Sequence, residues 1–328
     1  MQLIVVQGDK SFDITNTSSG KSWAGSSSSA PRTLSFQYNA QDIHPIYDGD
    51  QVVLVHEGKN IFNGIIMSIS DNEKKHLLKV KAYDPMIYWA NNKDSFVFEN
   101  QTGEAIFESL CKAFGVTPGV VAKTGYTFSS LVCEKQTPYD IMKKVIKEVY
   151  EQTGEQYYIY YNSITGKFDF INRRDSKELW KFEYGKNIGT FSRSRNFDSI
   201  VNQVKLVCKY KQGKGKDDPE ITLFASAKDS SSQKKYGVFQ LYDTISDELN
   251  QAQLNEKARI KLETGKRPKT DISITVIGVP ECISGKAIVV SIPHLKIDKA
   301  FYIESDTHKF DTDYTMNLKL KCTEEGDI

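Results

Sequence analysis

Apolar and polar positions alternate along much of this chain, and the same alternation returns in the same order at two distant places. From Gly49, Asp50 precedes the run Val52-Val53-Leu54-Val55; then come Ile61-Phe62-Asn63-Gly64-Ile65 and the alternating Leu78-Lys79-Val80-Lys81-Ala82, ending at Tyr83-Asp84. From Gly285, Lys286 precedes Ile288-Val289-Val290; then come Ala300-Phe301-Tyr302-Ile303 and Leu318-Lys319-Leu320-Lys321-Cys322. The step from Phe62 to Leu78 is 16 residues and that from Phe301 to Leu318 is 17. A period of two marks strands with one buried and one wet face. Its recurrence reads as a duplicated β-module, which points to symmetry rather than to chemistry.

The rest of the chain fills in around these copies. Strands are expected at Leu3–Val6, Thr33–Tyr38, Val52–His56, Ile61–Ile69 and Leu77–Tyr83, separated by Gly, Asp and Asn turns. The segment Thr15–Ala30, with its run of serines, reads as a mobile loop. Helical spacing follows. Ala105, Ile106, Leu110 and Phe114 share a face after Thr102-Gly103-Glu104, and Gly115 stops them. Thr137 caps a second helix, with Pro138 at its first position, Asp140 completing a capping-box spacing and Gly154 at its end. Tyr157–Tyr161 and Lys167–Ile171, joined by Asn162 and Gly166, predict a hairpin whose tyrosines belong to a half-buried strand. Further strands are expected at Ile200–Tyr210, Glu220–Ala227 and Asp271–Gly278, with loops at Gln212–Pro219 and Lys228–Gly237. A helix is expected at Asp247–Glu263, with Ser246 as its cap and Gly265 as its stop.

The expected fold is mainly β with an α+β middle region: two related small β-barrel domains, with helices and a hairpin between and around them. The 328 residues divide as a first barrel over 1–90, a helical and hairpin region over 91–187, and a second barrel with an inserted helix over 188–328.

Composition narrows the function. Lys and Arg total 43 against 42 Asp and Glu, so there is no basic field to hold a duplex by its phosphates. Mean hydropathy is −0.46, and no apolar run approaches the roughly 20 residues that span a bilayer. Met1–Val6 lacks a basic leader and reads as a strand, not a signal peptide. The cysteines Cys111, Cys133, Cys208, Cys282 and Cys322 are odd in number and form no CxxC pair, so they read as buried thiols. The histidines His44, His56, His76, His294 and His308 have no metal-ligand spacing. Gly213-Lys214-Gly215-Lys216 lacks the spacing of a phosphate loop and reads as a hairpin tip. Among the carboxylates, Asp84 is the best-placed single candidate for acid–base work, and Asp50 is more simply a turn residue.

The motifs as a set resemble those of the baseplate hub family of contractile tails, which includes XkdQ-like prophage proteins, late-control D proteins, the T-even phage hub and the hub of type VI secretion spikes. The resemblance lies in Gly49-Asp50-Gln51-Val52, Phe62-Asn63-Gly64-Ile65 and Ala82-Tyr83-Asp84. It continues in Gly166-Lys167-Phe168-Asp169-Phe170, Ile200-Val201-Asn202-Gln203-Val204, Gly278, Gly285 and Tyr302-Ile303. The chain departs from the family pattern at Lys296–Lys299 and in its serine-rich 15–30 segment.

The resemblance implies a structural protein, not an enzyme, without cofactor or metal. It implies a homotrimeric ring between tail tube and central spike, with other baseplate proteins as partners and DNA as transient lumen cargo in a true phage. It also implies synthesis in the bacterial cytoplasm and assembly into a virion or tail-like particle such as a bacteriocin. Gly49, Asp50, Phe62, Gly64, Tyr83, Asp84, Asn202, Gly278, Gly285 and Tyr302 are the motif positions expected to carry structure. The alternatives are a tail-associated cell-wall hydrolase and a β-rich carbohydrate-binding adhesin resting on the tyrosine strand.

Overall fold

The computed structural model describes residues 1–40, 44–71, 76–175, 177–211, 220–246, 248–266, 269–310 and 312–321. The first part holds β1 (Gln2–Gln7), β2 (Lys10–Asp13), β3 (Ser18–Ser26), β4 (Thr33–Asn39), β5 (Gln51–His56), β6 (Lys59–Ser70) and β7 (Leu77–Tyr83). There follow α1 (Met86–Asn91), β8 (Asp94–Thr102), α2 (Gly103–Ala113), β9 (Pro118–Val121), β10 (Thr127–Gln136), α3 (Pro138–Thr153), β11 (Tyr157–Asn162) and β12 (Lys167–Asn172). Next come β13 (Lys177–Glu183), β14 (Ile188–Asn196), β15 (Gln203–Lys211), β16 (Glu220–Lys228), α4 (Ser230–Tyr236), β17 (Gln240–Ile245) and α5 (Gln251–Gly265). The chain closes with β18 (Lys269–Ile277), β19 (Ala287–Ile292), β20 (Ile297–Phe310) and β21 (Tyr314–Lys321). The fold is mainly β, with several sheets and helices set between them.

The duplication is present in the strand order. The first module runs β3-β4-β7-β6-β5 across its sheet and the second runs β14-β18-β21-β20-β19. In each, one glycine with positive φ starts the repeat, +91° at Gly49 and +92° at Gly285. Gly49 donates its N–H to the Ile66 carbonyl at 2.8 Å and Ile66 donates back to Asp50 at 2.9 Å. Gly285 donates to Ile303 at 2.9 Å and Ile303 donates back to Lys286 at 2.8 Å. A bulge follows at once in both copies, between Ile66 and Ser68 and between Ile303 and Ser305. The bulge bends a long strand so that its two halves can serve different neighbours. The copies differ at their margins: β1 pairs antiparallel with β5, whereas β13 pairs parallel with β19.

Neither module closes into the expected barrel among the described residues. Instead both belong to one 13-stranded sheet. The reason is β20. Its first half pairs with β19; past the bulge the same edge pairs with β3 of the first module, Ser305 opposite Ser26 through Lys309 opposite Ser22. The edge that would close the second module is thus used to join the first.

Among the described residues, four apolar cores lie around this frame. One fills the first module and takes in Ile283 and Phe310 from the second. Another fills the second module. A third packs α1, α2 and α3 against β8, β10, β11 and β12, with Trp89, Phe107 and Phe170 at its centre. The fourth belongs to the stretch from β15 to α5, a separate three-stranded sheet under α5 that is inserted between the paired strands β14 and β18. In the first module only residues 27–32 join the equivalent pair.

Several local expectations are corrected. Residues 18–26 are not a mobile loop but β3, flanked by β4 and β20. Its small residues leave room for a neighbour: a Cβ on Gly25 would lie 2.1 Å from the Arg32 guanidinium. The Lys228–Gly237 stretch contains the short helix α4, whose cap Asp229 accepts from the Ser232 N–H at 2.9 Å. Helix α5 starts later than expected, because Asn250 and Gln253 form a reciprocal capping box; Gly265 is its last residue. Gly213–Lys216, Asp247 and Cys322 lie outside the described residues. The caps Thr137 and Gly154 stand where the sequence puts them.

Candidate functional site

Where the two modules meet, the interior carries a cluster of buried charged groups. Arg32, at the entry to β4, is 5% exposed, and Asp306 on β20 is 2% exposed. The Arg32 Nη1 donates to Asp306 Oδ1 at 3.0 Å and its Nη2 donates to Oδ2, a two-pronged charge-assisted pair. Ser284 completes the carboxylate's surroundings, its backbone N–H donating to Oδ1 at 2.6 Å. His308, fully buried, lies 3.4 Å from Oδ2 through Nε2, while its Nδ1 meets the Tyr314 hydroxyl at 2.8 Å. Trp23 on β3 covers the group: the guanidinium sits 4.2 Å above its ring and the His308 ring 4.8 Å away.

Electrostatics follow from this geometry. Burial by itself raises the Asp306 carboxyl, but the Arg32 guanidinium and His308 outweigh it and hold it well below the usual carboxylate range. Burial likewise opposes charge on Arg32, and Asp306 reverses the sign. Asp84 stands next to them, 1% exposed. Burial pushes its carboxyl up to about 7, with Arg32 and the Met86 N–H only partly offsetting that. Among the described residues no group of His, Cys, Asp and Glu could hold a metal ion. The arrangement is a buried ionic tie between modules.

The ten motif residues do not converge on one spot. Gly49 and Gly285 anchor the two repeats. Asp50 accepts from the Tyr47 N–H at 2.7 Å and from Gln7 Nε2 at 2.6 Å, tying β1 to the turn. Phe62 is fully buried, and Gly64 lets the Tyr83 carbonyl approach to 2.3 Å from where a Cβ would be. Asn202 holds the insert: its Oδ1 accepts from Phe239 N at 2.8 Å and its Nδ2 donates to Gly237 O at 2.7 Å. Gly278 lies against the Tyr314 ring, and Tyr302 lies under the Arg173 guanidinium at 4.6 Å. Tyr157, Tyr158 and Tyr161 are buried and Tyr160 is half-buried, as expected of a half-buried strand. Of the residues at the seam, Arg32, Asp306 and Ser284 are missed by sequence reasoning. Asp306, His308 and Phe310 share the buried face of β20, but Glu304–Lys309 is polar throughout, so no apolar alternation marks that face in the sequence.

With this geometry in view, comparison with known proteins is informative. A model of the YQBQ-like family matches residues 21–321. The chain belongs to the YQBQ-like family. It is 36% identical over 298 residues to the uncharacterized protein YqbQ of Bacillus subtilis strain 168, covering 89% of this chain and 88% of that one. It is 34% identical, over the same length and shares, to the phage-like element PBSX protein XkdQ of the same organism. These relatives bear out the XkdQ-like resemblance.

The YQBQ-like fold also occurs in distant proteins. The 43 kDa tail protein of prophage MuSo2 from Shewanella oneidensis superposes with a TM-score of 0.74 at 14% identity, covering 98% of each chain. The E. coli c3393 protein is described as a component of the type VI secretion system with structural similarity to the T4 tail proteins gp27 and gp5. It superposes with a TM-score of 0.57 at 10% identity, covering 99% of this chain and 78% of that one.

Proposed function

We propose that this chain is a structural hub protein of a phage or phage-like contractile tail. It assembles as a homotrimeric ring that joins the end of the tail tube to the central spike, and it has no enzymatic role. The observation that carries this reading is the duplication of one module in one strand order, anchored by Gly49 and Gly285 through the same hydrogen bonds. Three such chains present six similar modules, so one ring can meet a six-fold tube on one face and a three-fold spike on the other. Family membership beside a phage-like element protein supports the same reading, as does the shared fold with a prophage tail protein.

The mechanism is mechanical. The ring terminates the tube, passes the thrust of sheath contraction to the spike, and leaves a lumen through which DNA travels if the particle is a true phage. A near-neutral chain suits a lumen wall that must not grip phosphates. The two modules must then move as one body, which suits the Arg32–Asp306 tie in a shared sheet.

Two measurements test this. Sedimentation of the purified chain is expected to give a monomer or weak trimer alone and a trimer with the tube protein; a closed dimer would overturn the ring. Immunolabelling of intact particles is expected at the tail tip, and label along the tube or sheath would overturn the assignment.

A further inference from the structure

The internal junction is made of two edges, and the repeat supplies each edge a second time. Register fixes the correspondence. Lys81 opposes Ser68 as Lys319 opposes Ser305; Val80 opposes Ile69 as Leu318 opposes Asp306; Lys79 opposes Ser70 as Asn317 opposes Thr307. The counterpart of β20 past its bulge is therefore β6 from Ser68 onward. On the other side, Ser35 opposes Ser22 as Ser273 opposes Ser192, Leu34 opposes Trp23 as Ile272 opposes Arg193, and Thr33 opposes Ala24 as Asp271 opposes Ser194. The counterpart of β3 is β14.

Inside the chain β20 and β3 meet, but their counterparts do not. Among the described residues, β6 past its bulge pairs only with β7, and β14 is a terminal strand of the sheet, paired along its length only with β18. β14 is nine residues long, carries no proline and is mostly exposed. An open edge of that kind is a template for another strand.

We propose that these two edges pair between copies of this chain: Ser68–Asp71 of one copy adds antiparallel to Arg193–Asn196 of the next. The register is that of the internal junction. Ser68 lies opposite Asn196, Ile69 opposite Arg195, Ser70 opposite Ser194 and Asp71 opposite Arg193. This rests on the ring reading above and names the contact that closes it.

Charge supports the choice of partner. Asp71 and Arg193 are both exposed in the isolated chain. They take the places of His308 and Trp23, whose rings touch at the internal junction. The aromatic contact within a chain thus becomes an opposite-charge contact between chains, which is selective for the correct edge and repels β14 from its own kind. The contact is heterologous, so repetition gives a ring or a filament. Closure after three copies places six module junctions around the ring, alternating internal and external.

Cysteine cross-linking tests this. Opposed residues in an antiparallel pair lie about 4.5–5.5 Å apart at Cα, within disulfide reach. Ser70 and Ser194 are exposed, and the described native cysteines are buried. On mild oxidation the Ser70→Cys/Ser194→Cys variant is expected to give covalent trimers on a denaturing gel. A mixture of the two single variants should stop at dimers, and each single variant alone should give no ladder. In a second arm, Asp71→Arg and Arg193→Asp should each weaken assembly about tenfold, and their combination should restore it. If the wild-type chain sediments as a trimer but neither the cross-link nor the rescue appears, the pairing is wrong and the ring stands. If the wild-type chain stays monomeric at every concentration and with the tube protein present, the ring and the pairing fall together.

Discussion

Arg32 lays both terminal guanidinium nitrogens on the carboxylate of Asp306, 274 positions further along the chain. This pair ties β4's entry in one module to β20 in the other, at the seam where the modules become one sheet. Removing one partner leaves a buried charge alone. Arg32→Ala or Asp306→Ala is therefore expected to cost about 3–5 kcal/mol, read from urea unfolding, whereas Arg32→Met with Asp306→Leu should cost far less than the sum. Additive costs in the double variant would show that the two do not act as a pair.

Asp84 predicts a pH dependence of stability. Its carboxyl rises to about 7 in the folded chain, against about 4 in an unfolded one. Between these values the folded chain holds a proton that the unfolded chain releases. Its contribution is full at low pH and lost as pH rises through 7, with a slope of at most about 1.4 kcal/mol per pH unit. Asp306 has the opposite sign: its contribution is present above the ordinary carboxylate range and is lost only in stronger acid. Asp84→Asn should therefore melt near the wild type at pH 4 and above it at pH 8. An equal difference at both pH values would exclude Asp84 as the source.

The two anchoring glycines should not tolerate alanine equally. Both have φ near +90°, but a Cβ on Gly49 meets nothing within 4 Å, whereas one on Gly285 would lie 2.2 Å from the Tyr158 ring. Gly49→Ala is expected to cost about 1 kcal/mol for backbone strain alone. Gly285→Ala should cost about 3 kcal/mol, as overpacking adds to the strain, and Tyr158→Ala in that background should remove the overpacking part. Equal losses at the two glycines would contradict the packing.

Helix α3 depends on Thr137, whose hydroxyl accepts from the Asp140 N–H at 3.1 Å. Thr137→Ala is expected to lower stability by about 1 kcal/mol without loss of the helix, measured by thermal melting and far-ultraviolet circular dichroism. A Thr137→Asn variant should keep most of that stability.

The sequence by itself determined what depends on neighbours along the chain. Alternation placed most strands of both modules, though not β3 or β14; Thr137 and Gly154 bounded α3, and Gly49 and Gly285 marked a repeat that the hydrogen bonds to Ile66 and Ile303 reproduce. Local sterics and period are enough for these. What joins the copies lay beyond such patterns. Residues 18–26 look like a soft serine-rich loop because their small, polar side chains leave room for Arg32 and take their order from β4 and β20 on either side. Among the described residues no barrel closes, because β20 changes partner at a one-residue bulge, and a bulge leaves almost no trace in composition. Arg32 and Asp306 are ordinary charged residues until a fold brings them together in the dark of the seam, where burial makes each require the other. Pairing across hundreds of positions is a property of the tertiary structure, since only there does the cost of burying one charge depend on the other.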